Sequence, residues 1–194
     1  MRWLLALFCL SFATVSSAAF TVTIEKKPVS QLPGNVIDPV HGVTPSVPRN
    51  LANAVVDKVL VIKSAHQLQL LSDGQPLKTY RVSLGKRPRG PKEYEGDMRT
   101  PEGFYWLDWR KVSDRFNLAI HVSYPNTTDA ARARNAGVPA GGMIMIHGTP
   151  DSEDYPEWYF NSLDWTDGCI AMRNMDMREV WGLVPDGTMI EIRP

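Results

Sequence analysis

The chain has very little cysteine. Two thiols occur in 194 residues, Cys9 and Cys169, and Cys9 lies in an apolar N-terminal run. That scarcity excludes a disulfide framework. It also argues against a zinc site built from His147, Asp167 and Cys169, because zinc sites show paired ligands at close spacing and a fourth contact. Charge of one sign is absent too: 21 Lys and Arg balance 21 Asp and Glu, so bulk charge implies neither nucleic acid nor a membrane partner. No segment after residue 19 is long and apolar enough to cross a bilayer, which takes about 20 residues. There is no repeat and no alternation of strand and helix patterns, so a doubly wound parallel sheet is not expected.

What is present starts with an export signature. Arg2, the apolar run from Trp3 to Val15 and the small residues Ser16-Ser17-Ala18-Ala19 mark residues 1–19 as a secretory signal peptide. Cys9 follows Leu7-Phe8 and falls inside the apolar run, which does not suit a lipid-attachment site. Residues 20–54 carry Pro28, Pro33, Pro39, Pro45 and Pro48 with little periodicity, the composition of a leader or linker; His41 is incidental there. Residues 55–194 suffice for one domain.

Within that domain, strands are expected over Lys58–Ile62, His66–Leu71, Leu77–Leu84, Phe104–Leu107, Leu118–Val122, Met143–Ile146 and Thr188–Ile192, from their alternating or continuous apolar runs. Ser72-Asp73-Gly74-Gln75 reads as a turn. A short helix is expected over Thr128–Asn135, stopped near Gly137, and another over Met175–Leu183 with Asn174 as its N-cap. The expected class is mainly β with two short helices, α+β. The basic cluster Lys86, Arg87, Arg89 and Lys92 precedes Glu93, Glu95 and Asp97. A solvated loop is the simpler reading of such mixed charge, and a contact for an anionic ligand is the alternative.

Cys169 stands in Trp165-Thr166-Asp167-Gly168-Cys169, downstream of His147-Gly148. A lone thiol in an exported chain is either buried or used. A free thiol is mostly protonated at neutral pH, so a nucleophilic one needs a base. His147, at the end of an apolar strand, can take its proton and return it to a leaving amine. The Gly168 and Cys169 amides are candidate oxyanion donors, since a glycine lets the main chain approach substrate closely. A buried structural cysteine beside a satisfied histidine remains the competing reading from these residues alone.

The pattern His147-Gly148-Thr149, Thr166-Asp167-Gly168-Cys169-Ile170 and Asn174 resembles the signature of the YkuD-type L,D-transpeptidases. Gly96, Thr100-Pro101-Glu102-Gly103-Phe104-Tyr105, Tyr124-Pro125-Asn126 and Gly187-Thr188 match in order, so the resemblance spans residues 55–194. It implies an L,D-transpeptidase-like β-sandwich catalytic domain with Cys169 as nucleophile and His147 as proton donor and acceptor. It also implies peptidoglycan stem peptides as substrate, a thioester acyl-enzyme, no metal or organic cofactor, and a periplasmic location. The order histidine-then-cysteine separates the chain from papain-like peptidases, in which the cysteine comes first.

Three departures stand out. Asp167 replaces the family's histidine two before the cysteine, Ala171 replaces an arginine two after it, and the interval from His147 to Cys169 is long and aromatic. The Thr-Asp-Gly-Cys-Ile-Ala form is similar to the YafK-like branch, which opens a hydrolase of peptide or lipoprotein links to peptidoglycan as an alternative. A non-catalytic wall-binding module is a second. Asp167 is a candidate orienter of His147, or a residue that holds its own loop. Gly148, Thr166, Trp165, Arg173 and His121 are candidate substrate contacts, although a strand-face histidine is the commoner role for His121. Trp158, Tyr159 and Trp165 form either a lid or ordinary packing.

Overall fold

Eleven elements follow from the apolar patterning in the computed structural model, which describes residues 54–150 and 154–194. The expected signal peptide, most of the proline-rich leader, Cys9 and His41 lie outside the described residues. The strands are β1 (Lys58–Ile62), β2 (Gln67–Ser72), β3 (Gln75–Arg81), β4 (Gly103–Ser113), β5 (Asn117–Val122), β6 (Met145–His147), β7 (Ile170–Ala171) and β8 (Thr188–Arg193). The helices are α1 (Thr127–Asn135), α2 (Glu157–Phe160) and α3 (Asn174–Leu183). None of these helices is long and apolar enough to cross a membrane.

All eight strands join in one sheet, in the order β3-β2-β1-β8-β4-β5-β6-β7. β1 and β8 run parallel, as do β6 and β7, and the other neighbours are antiparallel. The β2–β3 hairpin turns at Asp73 and Gly74, with φ of 48° and 73°, the positive values that a two-residue hairpin requires. Just beyond β3 the chain bridges the opposite edge: Ser83 pairs with Ala171, and Gly85 with Thr166. The two edges of the sheet therefore meet, and Val59, Val61, Leu68, Leu70, Ile120, Ile146, Ile170 and Ile190 pack together inside. Closure of this kind removes most unpaired edge.

The expected mainly β, α+β class is what the fold has. α2, a single turn in the aromatic segment, is an addition. α1 begins with a capping box: the Asn126 side chain accepts from the Asp129 amide at 3.0 Å and the Asp129 carboxylate accepts from the Asn126 amide at 3.2 Å. Gly137, φ 69°, follows its C-cap Ala136 as expected. Three local expectations are corrected. β4 runs on to Ser113, because residues 110–113 pair with β5. The strand expected at Met143 starts at Met145; Met143 itself has φ 55° and is 57% exposed. Asn174 is the first residue of α3 and Arg173 occupies the cap position, because the Asn174 side chain is engaged elsewhere.

Candidate active site

The parallel pairing of β6 and β7 sets the geometry. Ile146 lies opposite Ile170 and His147 opposite Ala171. Side chains alternate faces along a strand, so Cys169, two before Ala171, shares the face of His147. Both side chains line a cavity of about 250 Å³ whose walls include Phe116 and Trp165. Cys169 also lines a second cavity, of about 390 Å³, together with Lys92, Glu95, Gly141 and Met143. The thiol thus sits where two cavities adjoin, and its S–H is directed to the Met143 carbonyl at 3.7 Å.

His147 is 3% exposed. Its ring stacks on Phe116, with centroids 4.4 Å apart, and meets the edge of Trp165 at 5.7 Å. The turn between β4 and β5 delivers Phe116, with Arg115 beside it. His147 Nδ1 lies 2.6 Å from the Gly148 carbonyl. A carbonyl only accepts, so Nδ1 carries the proton and Nε2 keeps its lone pair in the neutral ring. Burial, with the Arg115 charge adding to it, lowers the imidazole pKa to about 4 despite that hydrogen bond. Burial also raises the Cys169 thiol above its usual value, with the Asp167 charge adding and Lys92 opposing. Both groups are therefore neutral at pH 7. The cavity thus holds a thiol and a neutral imidazole, not a preformed ion pair.

The depressed imidazole has a consequence for stability. The unfolded chain takes up a proton near pH 6.5, whereas the folded His147 does so only near 4. Between those values the unfolded state binds more protons, so stability falls as pH drops from 6.5 to 4. The loss reaches about 3 kcal/mol at one pKa unit per 1.36 kcal/mol. Denaturant unfolding at pH 7 and pH 4 is expected to show it, and His147→Gln to remove that portion of the slope.

The turn before Cys169 is pinned by Thr166, which is 5% exposed. Its hydroxyl donates to the Cys169 carbonyl at 2.7 Å and accepts from the Gly168 amide at 3.2 Å. Gly168 has φ 134°, and a Cβ there would stand 2.7 Å from the Arg99 carbonyl oxygen, so only glycine fits. The Gly168 amide, expected as an oxyanion donor, donates here to the Thr166 hydroxyl. Gly148 is equally constrained, since a Cβ would lie 2.1 Å from Asn174 Oδ1. That oxygen accepts from the Thr149 amide at 3.0 Å. The Asn174 amide in turn donates to Glu157 at 2.5 Å. Asn174 and Glu157 so hold the strand end that carries His147 and Gly148.

Cys169, His147, Asp167, Trp165 and Thr166 come together at the smaller cavity, with Gly168 in the turn and Gly148 behind the imidazole. Asp167 does not orient His147: its carboxylate is 78% exposed and pairs with Lys86 at 2.9 Å, while Nδ1 is taken by the Gly148 carbonyl. Arg173 is exposed and does not line either cavity at Cys169. His121 lies apart as well; its Nδ1 is 2.7 Å from Asp108 and its ring stacks on Trp109 at 4.6 Å. Trp158 is 66% exposed, and the partners of Tyr159 include Tyr155 and Phe160, so of the expected aromatic lid only Trp165 reaches the cavity.

Arg115 and Phe116 line the smaller cavity and were not selected by sequence reasoning, whereas Lys86 and Lys92, which line the two cavities, belong to the cluster for which an anionic-ligand contact was the alternative. The simpler reading of that cluster was a solvated loop. That reading is corrected at Lys92 and Asp97, a buried pair 2.7 Å apart. Asp97 also accepts from the amides of Glu93, Tyr94 and Arg99, and Lys63 reaches the Gly90 and Thr100 carbonyls at 2.6 and 2.9 Å. The loop is thereby fixed as a wall of the larger cavity. Among the described residues no three His, Cys, Asp or Glu are gathered as a metal site.

The family model of the L,D-transpeptidase catalytic domain, YkuD, matches residues 56–192. YafK of Escherichia coli strain K12, an L,D-transpeptidase by name, is 29% identical over 179 residues, which is 91% of this chain and 58% of that protein. The chain thus spans less than two thirds of that relative's length. Among solved structures, the helical cell shape determining protein Pgp2 of Campylobacter jejuni aligns with a TM-score of 0.53 at 25% identity, covering 70% of this chain and 46% of the other. Bd1075 of Bdellovibrio bacteriovorus aligns at 0.52 and 24% identity, covering 74% and 49%, a likeness of fold.

Proposed function

The chain belongs to the L,D-transpeptidase catalytic domain family, and on that premise we propose that it is a cysteine-dependent acyltransferase acting on peptidoglycan stem peptides in the periplasm. The observation that carries this reading is that Cys169, immediately before β7, and His147, on the parallel neighbour β6, line one cavity, with His147 Nδ1 bonded to the Gly148 carbonyl.

In the proposed reaction His147 Nε2 takes the thiol proton as Sγ attacks the carbonyl of a stem-peptide residue. Negative charge gathers on the carbonyl oxygen. With the Gly168 amide tied to Thr166, the Cys169 amide is the donor left from the expected pair. The tetrahedral intermediate collapses, the proton on Nε2 goes to the departing amine, and a thioester remains on Cys169. A second amine, deprotonated by Nε2, attacks the thioester; the new amide forms and Sγ leaves as thiol. Two cavities meeting at one thiol suit two peptide partners, one as acyl donor and one as acceptor. Water in place of the second amine gives the hydrolase reading, with a peptide or lipoprotein link to peptidoglycan as the bond cut.

Incubation with purified sacculi, followed by mass spectrometry of the digested products, tests the reading. New cross-links are the expected result. Freed peptides or lipoprotein without new cross-links mean that the thioester ends on water. Sacculi left unchanged, with the fold intact, point to a wall-binding module.

A further inference from the structure

The outer face of the sheet carries aromatic rings that the reaction at Cys169 does not use. Phe104 and Trp106 stand two apart on β4 and are 58% and 55% exposed. Residues two apart on a strand share a face and lie about 7 Å from each other, so one extended ligand can cover both rings. The register carries this face sideways. Phe104 pairs with Glu191 of β8 and Trp106 with Met189, and these pair in turn with Leu60 and Lys58 of β1. Cross-strand partners project from the same side. Tyr105 and Ile190, one position on, point the other way and are buried in the core. Past a register shift in β4, Trp109 stacks on His121 of β5 with centroids 4.6 Å apart and extends the row. None of these residues lines either cavity at Cys169. Exposed aromatic surface gathered in this way marks an interaction site.

The charges on this face are already matched. Glu191 accepts from Lys58 and from Arg193, the latter at 2.5 Å, and Asp108 accepts from His121 Nδ1 at 2.7 Å. Two cations, Lys58 and Arg193, thus stand against two carboxylates, Glu191 and Asp108. An acidic polymer or an anionic lipid surface finds no unmatched cation here. The complementary partner is itself uncharged. It has flat apolar faces for the rings, and hydroxyl or amide groups for the Asp108 carboxylate and the Lys58 ammonium, which are partly exposed. A chain of pyranose rings has this chemistry, with C–H groups on its faces and polar groups on its edges. We infer that the face bearing Phe104, Trp106 and Trp109 docks an uncharged glycan strand, the sugar backbone of peptidoglycan, whose acid groups are taken up by the peptides they carry. Its ring C–H groups pack on the aromatic faces. The neutral sugar chain follows from the face; its source in the wall rests on the function proposed above. β4 is entered from the loop that walls the larger cavity and left through the turn that carries Phe116 to the smaller one. A glycan held on β4 therefore presents its own stem peptides to the thiol at raised effective concentration.

The test is a calorimetric titration of the full chain with the β-1,4-linked hexamer of N-acetylglucosamine, an uncharged and peptide-free probe of the same ring and linkage type. Saturable binding is expected. Phe104→Ala and Trp106→Ala should each weaken it about tenfold, as loss of one stacked ring allows, and Trp106→Tyr, which keeps a ring, should retain most of it. Both side chains are exposed, so these variants are expected to fold, which circular dichroism checks. No binding at millimolar hexamer, or binding that neither alanine variant alters, overturns the inference. Equal binding of maltohexaose, whose rings are α-linked and lack the acetamido group, overturns it as well. So does displacement of the hexamer by a free stem peptide, which would move the sugar into the cavities. A dimer in sedimentation equilibrium that Trp106→Ala abolishes assigns the face to a second copy of the chain instead. Covalent addition of a carbapenem to Cys169 is read in parallel and is expected at the wild-type rate in Trp106→Ala. An adduct without hexamer binding removes only the docking inference. Hexamer binding without an adduct removes the acyl-enzyme reading and leaves the docking face standing.

Discussion

Cys169→Ala protein is expected to take up no carbapenem, while the wild-type chain gains the full mass of one β-lactam. The reaction is attack of Sγ on the lactam carbonyl. Ring opening keeps every atom of the drug on the protein, and the proton from the thiol ends on the ring nitrogen. Cys169 is the free cysteine of the described residues, so loss of its sulfur removes the acylation site outright. Burial keeps the thiol protonated at neutral pH, so addition depends on the neighbouring base rather than on a standing thiolate. Intact-mass spectrometry reads the result, and peptide mapping places the adduct on Cys169 and not on Cys9. An unmodified wild type with native circular dichroism overturns the nucleophile assignment and leaves the wall-binding reading.

Removal of the base has the second largest expected effect. His147→Ala should slow acylation by about a hundredfold, the lower end of the usual range for a general base. The pH profiles should differ as well. In the wild type the rate falls as pH drops through about 4, because the protonated imidazole can no longer accept the thiol proton. Above that value the profile is flat across neutrality. In His147→Ala the rate should instead climb about tenfold per pH unit, following the thiolate fraction, until the raised thiol pKa is reached. Stopped-flow quenching or timed mass spectra give these rates. Wild-type rates in the variant would exclude His147 from the reaction. The same experiment distinguishes a base from a merely structural histidine, because a structural role alters the amount of folded protein and not the shape of the profile.

Much of the molecule was legible in the residues because its signals are local. Lys58–Ile62, Gln67–Ser72 and Thr188–Arg193 form strands where their apolar patterns say so. Asp73-Gly74 turns the first hairpin, and Asn126 with Asp129 starts α1. His147 and Cys169 could be paired by motif because each stands next to a glycine in the chain. Positions whose roles depend on distant partners were not legible. Asn174 looks like a cap, but its side chain is bonded to the Thr149 amide. Asp167 adjoins Gly168 and suggests an orienter, but its partner is Lys86, 81 positions away. Lys92 reads as one charge in a polar loop, but it is buried against Asp97. Arg115 and Phe116 sit in an unremarkable turn, and only the pairing of β4 with β5 and β5 with β6 carries them to the imidazole.

The sequence by itself determined the class of fold and the nucleophile and base candidates. These depend on periodicity, on residue chemistry and on backbone freedom, all of which are properties of short stretches. Only the tertiary structure decided which tautomer His147 holds, that both reacting groups rest neutral, that the Gly168 amide is already spoken for, and which charges face the thiol. Those depend on burial and on contacts between β6, β7, the loop at 86–100 and the β4–β5 turn. Desolvation and hydrogen-bond partnership act through space, and the order of residues in the chain does not specify them until the sheet has closed.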